Sequence, residues 1–316
     1  MDTIEEKELV RIAKMYYEEG LTQAAIAKEV GVSRSLISKL LMDAKRQGIV
    51  EVFIKSSSSY IVELERELEK NFGLVKAIVV DSLSVKDEEV NKSASQQAAL
   101  YLKKMAADHP NIGISWGYSI RGMVDSFPYS NLSEVTLIPL IGGMSDDYFS
   151  IHSNQLCFDL SQKIRSNVKY LYSPAQVSND RIKDELINNN AIKSVLDSAR
   201  NVDLAVVGIS SPYEQSTMQK IGYLNEDNVE DLIKHNVVGD INSAFFDSNG
   251  QQVDFDQNRN VIGLSLDELK EIPLRMSIAT SQSKTKPLAV ALEHKLLNII
   301  VTTDKLAENI LKTNAI

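Results

Sequence analysis

A single cysteine, Cys157, occurs in 316 residues. One thiol can neither close a disulfide within the chain nor build a cysteine-rich metal site, so its expected place is as a small apolar residue in a core. No run reaches the roughly 18 apolar residues that a membrane helix needs. The opening MDTIEEKE has neither the basic start nor the apolar stretch of a secretory signal. These absences predict a cytoplasmic protein with no membrane partner. A basic excess is missing too: the formal charge of −9 argues against a surface coated for nonspecific nucleic-acid binding, although net charge decides little when one small domain does the binding. Apart from the serines of KSSSS at 55–59, there is no low-complexity tract and no internal repeat.

The most informative stretch lies near the N-terminus. Residues 21–54, LTQAAIAKEVGVSRSLISKLLMDAKRQGIVEVFI, read as a helix-turn-helix followed by the first strand of a wing. Thr22 is a natural N-cap for a run carrying Ala25, Ile26 and Val30 at helical spacing, and Gly31 supplies the turn. Ser33 caps a second helix, in which Leu36, Ile37, Leu40 and Leu41 form the expected inward face. Gly48 ends it, and residues 49–54 alternate like a wing strand. The outward face offers Arg34, Ser35, Ser38, Lys39, Lys45 and Arg46, donors for base edges near the start and for phosphates further along. With Thr22, Gln23 and Ser33 these are the candidate DNA-binding residues. Between Lys28 and Gly48 five basic residues stand against two acidic ones, a local charge of +3. Residues 1–55 as a whole balance to zero, so the acidic excess belongs to the remainder.

The rest of the chain is long enough for one larger domain. After the serine break, residues 60–71 place Ile61, Leu64 and Leu68 on one seam of a charged helix; this helix either pairs two subunits or packs on its own domain. From residue 76 onward short β-rich runs alternate with helical ones: strands at 77–80, 112–115, 135–140, 169–171, 204–207 and 298–302, helices at 91–107, 120–125, 154–164, 183–199, 229–235 and 305–311. That alternation predicts an α/β, Rossmann-like parallel sheet whose ligand binds at the carboxyl ends of the strands. The predicted domains are 1–55, a winged helix-turn-helix; 56–72, a linker and helix; and 73–316, effector binding and oligomerisation.

Several strand ends carry candidate ligand chemistry. GISWGYSI, residues 113–120, follows an apolar strand and opens a helix, where backbone N–H groups and the helix dipole suit a phosphate. Gly117 permits close approach, Ser115, Tyr118 and Ser119 add hydroxyls, and Arg121 is near enough to be a charged partner. Gly143, the Gly208-Ile-Ser-Ser211 turn with Ser210, and Asp240 in an apolar setting end other strands. Lys284 lies in a polar stretch, 280–286, between an apolar run and the next helix, where a lysine is either solvated or able to neutralise a phosphate. His152, Asn154 and Gln155 either reach the ligand or cap the following helix.

In order and spacing, the helix-turn-helix, GISWGYSI, VVGDINSAFFDSNG and the Lys284 segment resemble those of SorC-family transcriptional regulators across nearly the whole chain. The resemblance implies a C-terminal domain akin to sugar-phosphate isomerases and deaminases, a phosphorylated sugar as effector, and dimers or tetramers on operator DNA. By match, residues 115–119 are implied to hold phosphate, with Asp240 and Lys284 at the ligand. Thr280 and Ser281 stand where many members have glycine, Pro287 where many have alanine, and Tyr118 where arginine or threonine is common. The effector set is therefore Ser115, Gly117, Tyr118, Ser119, Gly143, Gln155, Ser210, Asp240 and Lys284. No catalytic residue, metal or cofactor is assigned. The alternative is a sugar-phosphate isomerase or deaminase-like enzyme with an appended DNA-binding domain, using Asp240 or His152 as base, but no acid and base pair with suitable spacing.

Overall fold

The computed structural model describes residues 3–50, 58–82, 86–143, 146–213 and 216–313. The chain divides into two compact units, Met1–Ser59 and Tyr60–Ile316.

The first unit contains α1 (Thr3–Tyr17), α2 (Gln23–Val30) and α3 (Arg34–Arg46) around a core of Ile12, Met15, Ile26, Ala27, Ile37 and Leu41. The Thr22 hydroxyl accepts from Ala25 N at 3.2 Å and the Ser33 hydroxyl from Leu36 N at 3.2 Å. Each cap satisfies a donor that the helix start leaves orphaned, worth about 1 kcal/mol. Gly31 ends α2 in the left-handed region at φ 76°. Gly48 does the same beyond α3 at φ 73°, where Ile49 N closes back onto Ala44 O. One expectation is corrected: Leu36 is 41% exposed, whereas Ala44 is fully buried. Ile37, Leu41 and Ala44 fall on one stripe at about 100° per residue, and Leu36 stands roughly 100° away from it. Of the expected wing strand only Ile49 and Val50 are described, and they pack on Leu9, Ala13 and Ala44; residues 51–54 and most of the serine linker lie outside the described residues.

The second unit opens with α4 (Ser59–Phe72) and continues with β1 (Lys76–Val80), α5 (Asp87–Met105), β2 (Asn111–Ile114), α6 (Tyr118–Ser126), β3 (Thr136–Pro139), α7 (Ser153–Ile164) and β4 (Asn167–Val168). Next come α8 (Asp180–Ile187), α9 (Asn190–Arg200), β5 (Leu204–Val207), β6 (Ile209–Ser210), α10 (Thr217–Lys220), α11 (Glu226–Lys234), β7 (Gly239–Ile241) and β8 (Ala244–Phe246). The chain closes with α12 (Asp256–Arg259), α13 (Leu266–Lys270), β9 (Leu274–Ala279), α14 (Thr285–Glu293), β10 (Ile299–Thr303) and α15 (Asp304–Thr313). Seven strands form a parallel sheet in the order β1-β10-β9-β5-β2-β3-β4, and β6-β7-β8 form a small antiparallel sheet.

Successive strand residues face opposite layers, so Leu204 and Val206 join the core under α5, α6 and α7 while Ala205 and Val207 join the core under α4, α9, α14 and α15. A sheet covered on both faces needs the apolar strands that the sequence supplies. Cys157 is fully buried in the first of these cores, and burial pushes its thiol well above the ordinary range.

Helix α4 packs on its own domain. Leu64, Leu68 and Phe72 are buried there, each contributing about 1.5–3 kcal/mol, so this seam is not free to pair a second subunit. Its glutamates also serve the edge of the sheet: Val79 N donates to Glu65 Oε1 at 3.0 Å and Ala77 N to Glu69 Oε1 at 3.1 Å. An edge strand is thereby covered rather than left to pair with another chain.

Three local expectations change. The helix expected at 183–199 is two helices, because the Asn189 side chain caps a new start at Ala191 N, 3.0 Å away. The strand expected at 169–171 is the two-residue β4 just before it. Strand β9 and helix α14, expected only as an apolar run and a helix on either side of the Lys284 stretch, gain their bounds here: β9 carries a half-buried Arg275 in a run otherwise buried on both faces, and α14 is apolar on nearly all sides, so neither shows a clean period.

Candidate effector pocket and DNA-binding face

The centre of the second unit is the point where the chain order reverses. From β2 the chain moves outward through β3 and β4, then returns to place β5 on the other side of β2. Crevices of this kind, at the carboxyl ends of the strands, are where open α/β sheets bind ligands. Gly117 follows β2 here with φ 123° and ψ 167°, a conformation that a side chain rarely allows, and it turns the backbone into α6. The first N–H groups of α6, on Tyr118, Ser119 and Ile120, have no backbone acceptor among the described residues, so they face outward as a ready anion seat. Gly208, just after β5, brings its backbone so close that an added Cβ would lie 3.0 Å from Trp116 O.

A hairpin holds this loop in place. Asn242 and Ser243 join β7 to β8 as a two-residue turn with φ 55° and 63°, the geometry of a type I′ hairpin. The buried Asn242 side chain donates to Leu140 O and Leu264 O and accepts from Ser115 Oγ at 2.7 Å. Ser243 Oγ accepts from Trp116 Nε1 at 2.9 Å. The polar groups of Ser115 and Trp116 at the end of β2 are thus satisfied by the β7–β8 turn, which holds the loop in place.

Gly117, Tyr118, Ser119, Ser210, Asp240 and Lys284 meet around a cavity of about 120 Å³, whose wall also includes Trp116, Gly208 and Thr217. Asp240 is 3% exposed on β7. Ser210 Oγ donates to its Oδ1 at 2.5 Å, yet burial outweighs this bond and raises its carboxyl to about 6. Lys284, at the approach to α14, is drawn down to about 8 by desolvation, with Asp240 pulling the other way. Among the described residues its ammonium makes no ion pair and no hydrogen bond. At neutral pH the wall of the cavity therefore holds an uncommitted cation, a buried carboxylate and free N–H groups. Such a set has the chemistry to donate to an anion and to accept from hydroxyls.

Three residues of the expected set stand elsewhere. Ser115 is fully buried and committed to Asn242. Gly143 lines a separate cleft of about 290 Å³ with Pro174, Gln176 and Tyr223. Gln155 donates to Asp159 at 2.7 Å. Arg121, read from sequence as a charged partner, is corrected: it is spent on Asp159, at 2.5 Å, and on Asp125. His152 occupies the N-cap of α7 without a side-chain capping bond. Asn154 instead mimics backbone, bonding both N–H and C=O of Leu171. Sequence reasoning missed Thr217, Asn242 and Ser243; the one available signal was an Asn-Ser pair between two β-prone triplets.

In the first unit Arg34, Ser35 and Lys39 are exposed on α3, and Ser38 is half-buried. Arg46 pairs with Asp43 at 2.8 Å and Lys45 lies over the Tyr17 ring at 5.7 Å. Thr22 and Ser33 spend their hydroxyls on capping, and Gln23 is half-buried at the start of α2. Among the described residues no helix is long and apolar enough to cross a membrane, and no group of three metal-ligating side chains converges.

Residues 57–312 match the family Sugar-bind, a sugar-binding domain. The chain is 31% identical over 306 residues to the sorbitol operon regulator of Klebsiella pneumoniae, covering 96% of this chain and 97% of that protein. It is 24% identical over 301 residues to the deoxyribonucleoside regulator of Bacillus subtilis (strain 168), covering 95% and 96%. The solved full-length sorbitol operon regulator SorC from Klebsiella pneumoniae superposes with a TM-score of 0.76 at 31% identity, over 98% of this chain and 99% of that one. A DeoR family transcriptional regulator from Listeria monocytogenes superposes with a TM-score of 0.76 at 44% identity, over 79% of this chain and 99% of that one.

Proposed function

The chain belongs to the SorC family of sugar-binding transcriptional regulators, and on that premise we propose that a phosphorylated sugar, bound between α6, Asp240 and Lys284, controls its grip on operator DNA. It is a regulator and not an enzyme, as its relatives are. The observation that carries the phosphate is the unpaired Lys284 ammonium at the same cavity as the free N–H groups of α6. Phosphate accepts from both, and Asp240 accepts from the sugar hydroxyls. In the first unit α3 enters the major groove, with Arg34, Ser35 and Lys39 toward the bases and Lys45 and Arg46 toward phosphates.

The effector acts through its differential affinity for the DNA-competent and incompetent arrangements of the protein. The working form is a homodimer or homotetramer, because one helix-turn-helix reads one half-site and operators repeat half-sites at helical-turn spacing. Its place of work is the cytoplasm, with the DNA. The melting temperature of the full-length protein against a panel of sugars and sugar phosphates tests the effector class. A ligand at 100 times its Kd adds about 2.7 kcal/mol, so a shift confined to phosphorylated sugars is expected. A panel in which only free sugars shift the melt would remove the phosphate from the proposal.

A further inference from the structure

Two apolar side chains stand uncovered on α3, the helix that otherwise shows solvent its polar and charged residues. Leu36 is 41% exposed and Met42 is 63% exposed. Leu36 is the third residue of the helix, between Arg34 and Ser35 on one side and Ser38 and Lys39 on the other. Arg34 and Lys39 make no ion pair among the described residues, so an anionic surface complements the positions on both sides of Leu36. That combination favours DNA over an apolar protein face as the occupant.

The first residues of a recognition helix are the ones that reach base edges. A leucine there offers no donor or acceptor, and the apolar group displayed by bases in the major groove is the C5 methyl of thymine. We propose that Leu36 contacts a thymine methyl and so specifies an A·T pair in each half-site. The inference rests on α3 entering the major groove. Met42 lies six residues further along, about 9 Å down the axis, beyond the base pair that Leu36 meets.

The full-length protein is used to select its sites from a random duplex library, and each thymine of the selected site is then replaced by deoxyuracil. That exchange removes one methyl and leaves every hydrogen-bonding group unchanged. One thymine per half-site should lose roughly fourfold in affinity on replacement, the worth of one buried methyl. Leu36→Ala, at an exposed position, should keep the wild-type melting temperature and bind the thymine and uracil duplexes equally. Met42→Ala should retain the discrimination. A flat uracil scan, a methyl effect that survives in Leu36→Ala, or one lost only in Met42→Ala would overturn the assignment. A library with no enriched sequence would instead overturn groove reading itself, and the inference with it.

Discussion

Raising the pH from 7 to 9 should weaken effector binding while leaving the protein folded. The Lys284 ammonium is held near 8 by desolvation in the pocket wall, so it is roughly nine-tenths protonated at pH 7 and roughly one-tenth at pH 9. A sugar phosphate, with its second pKa near 6, stays dianionic across that range. Loss of the cation therefore lowers affinity about tenfold, or about 1.4 kcal/mol. Stability moves the other way. Between about 8 and the ordinary lysine value the unfolded chain binds the proton that the folded chain has released, so this group makes the ligand-free protein more stable as pH rises through that window. Falling affinity beside steady or rising stability separates titration of the site from unfolding. Calorimetric titration at pH 7, 8 and 9 and constant ionic strength, run with thermal melts, reads both. Lys284→Met should bind weakly and show no alkaline limb. A wild-type affinity constant to pH 9, or an equal decline in Lys284→Met, would refute the reasoning.

Asp240→Asn should cut sugar-phosphate affinity roughly ten- to hundredfold, the worth of a charge-assisted hydrogen bond, as read by the same titrations. The variant also relieves a buried charge whose carboxyl is raised to about 6, so its ligand-free melting temperature at pH 7 should equal or exceed that of the wild type; a large drop would mean that Asp240 is structural. Arg34→Ala should weaken operator binding by about 1–3 kcal/mol if the guanidinium reads a base. Unchanged affinity for the selected duplex would remove Arg34 from the interface.

Capping and periodicity carry local information, and the N-terminal unit shows how far they reach. Thr22, Gly31, Ser33 and Gly48 each do what their residue type predicts, because a cap or a left-handed turn involves only neighbours along the chain. Leu36 departed from expectation because apolar character alone does not choose between two faces of an amphipathic helix. In the second unit the alternation of strands and helices was legible, and six of the candidate residues, Gly117, Tyr118, Ser119, Ser210, Asp240 and Lys284, line one cavity. The bounds of strand β9 and helix α14 were not legible, since burial on all sides erases the period that marks an element.

By itself the sequence determined a small helical unit with a basic, capped second helix, a larger α/β domain, and a glycine turn after β2 that opens a helix. Tertiary structure decided which of the candidate groups share a pocket. Lys284 comes within the field of Asp240 across 43 intervening residues, whereas Arg121, only four residues from Gly117, is neutralised by Asp159 of α7. The reason is electrostatic. A side chain's availability depends on the charges and dipoles that folding brings within a few ångströms, and separation along the chain says little about those distances.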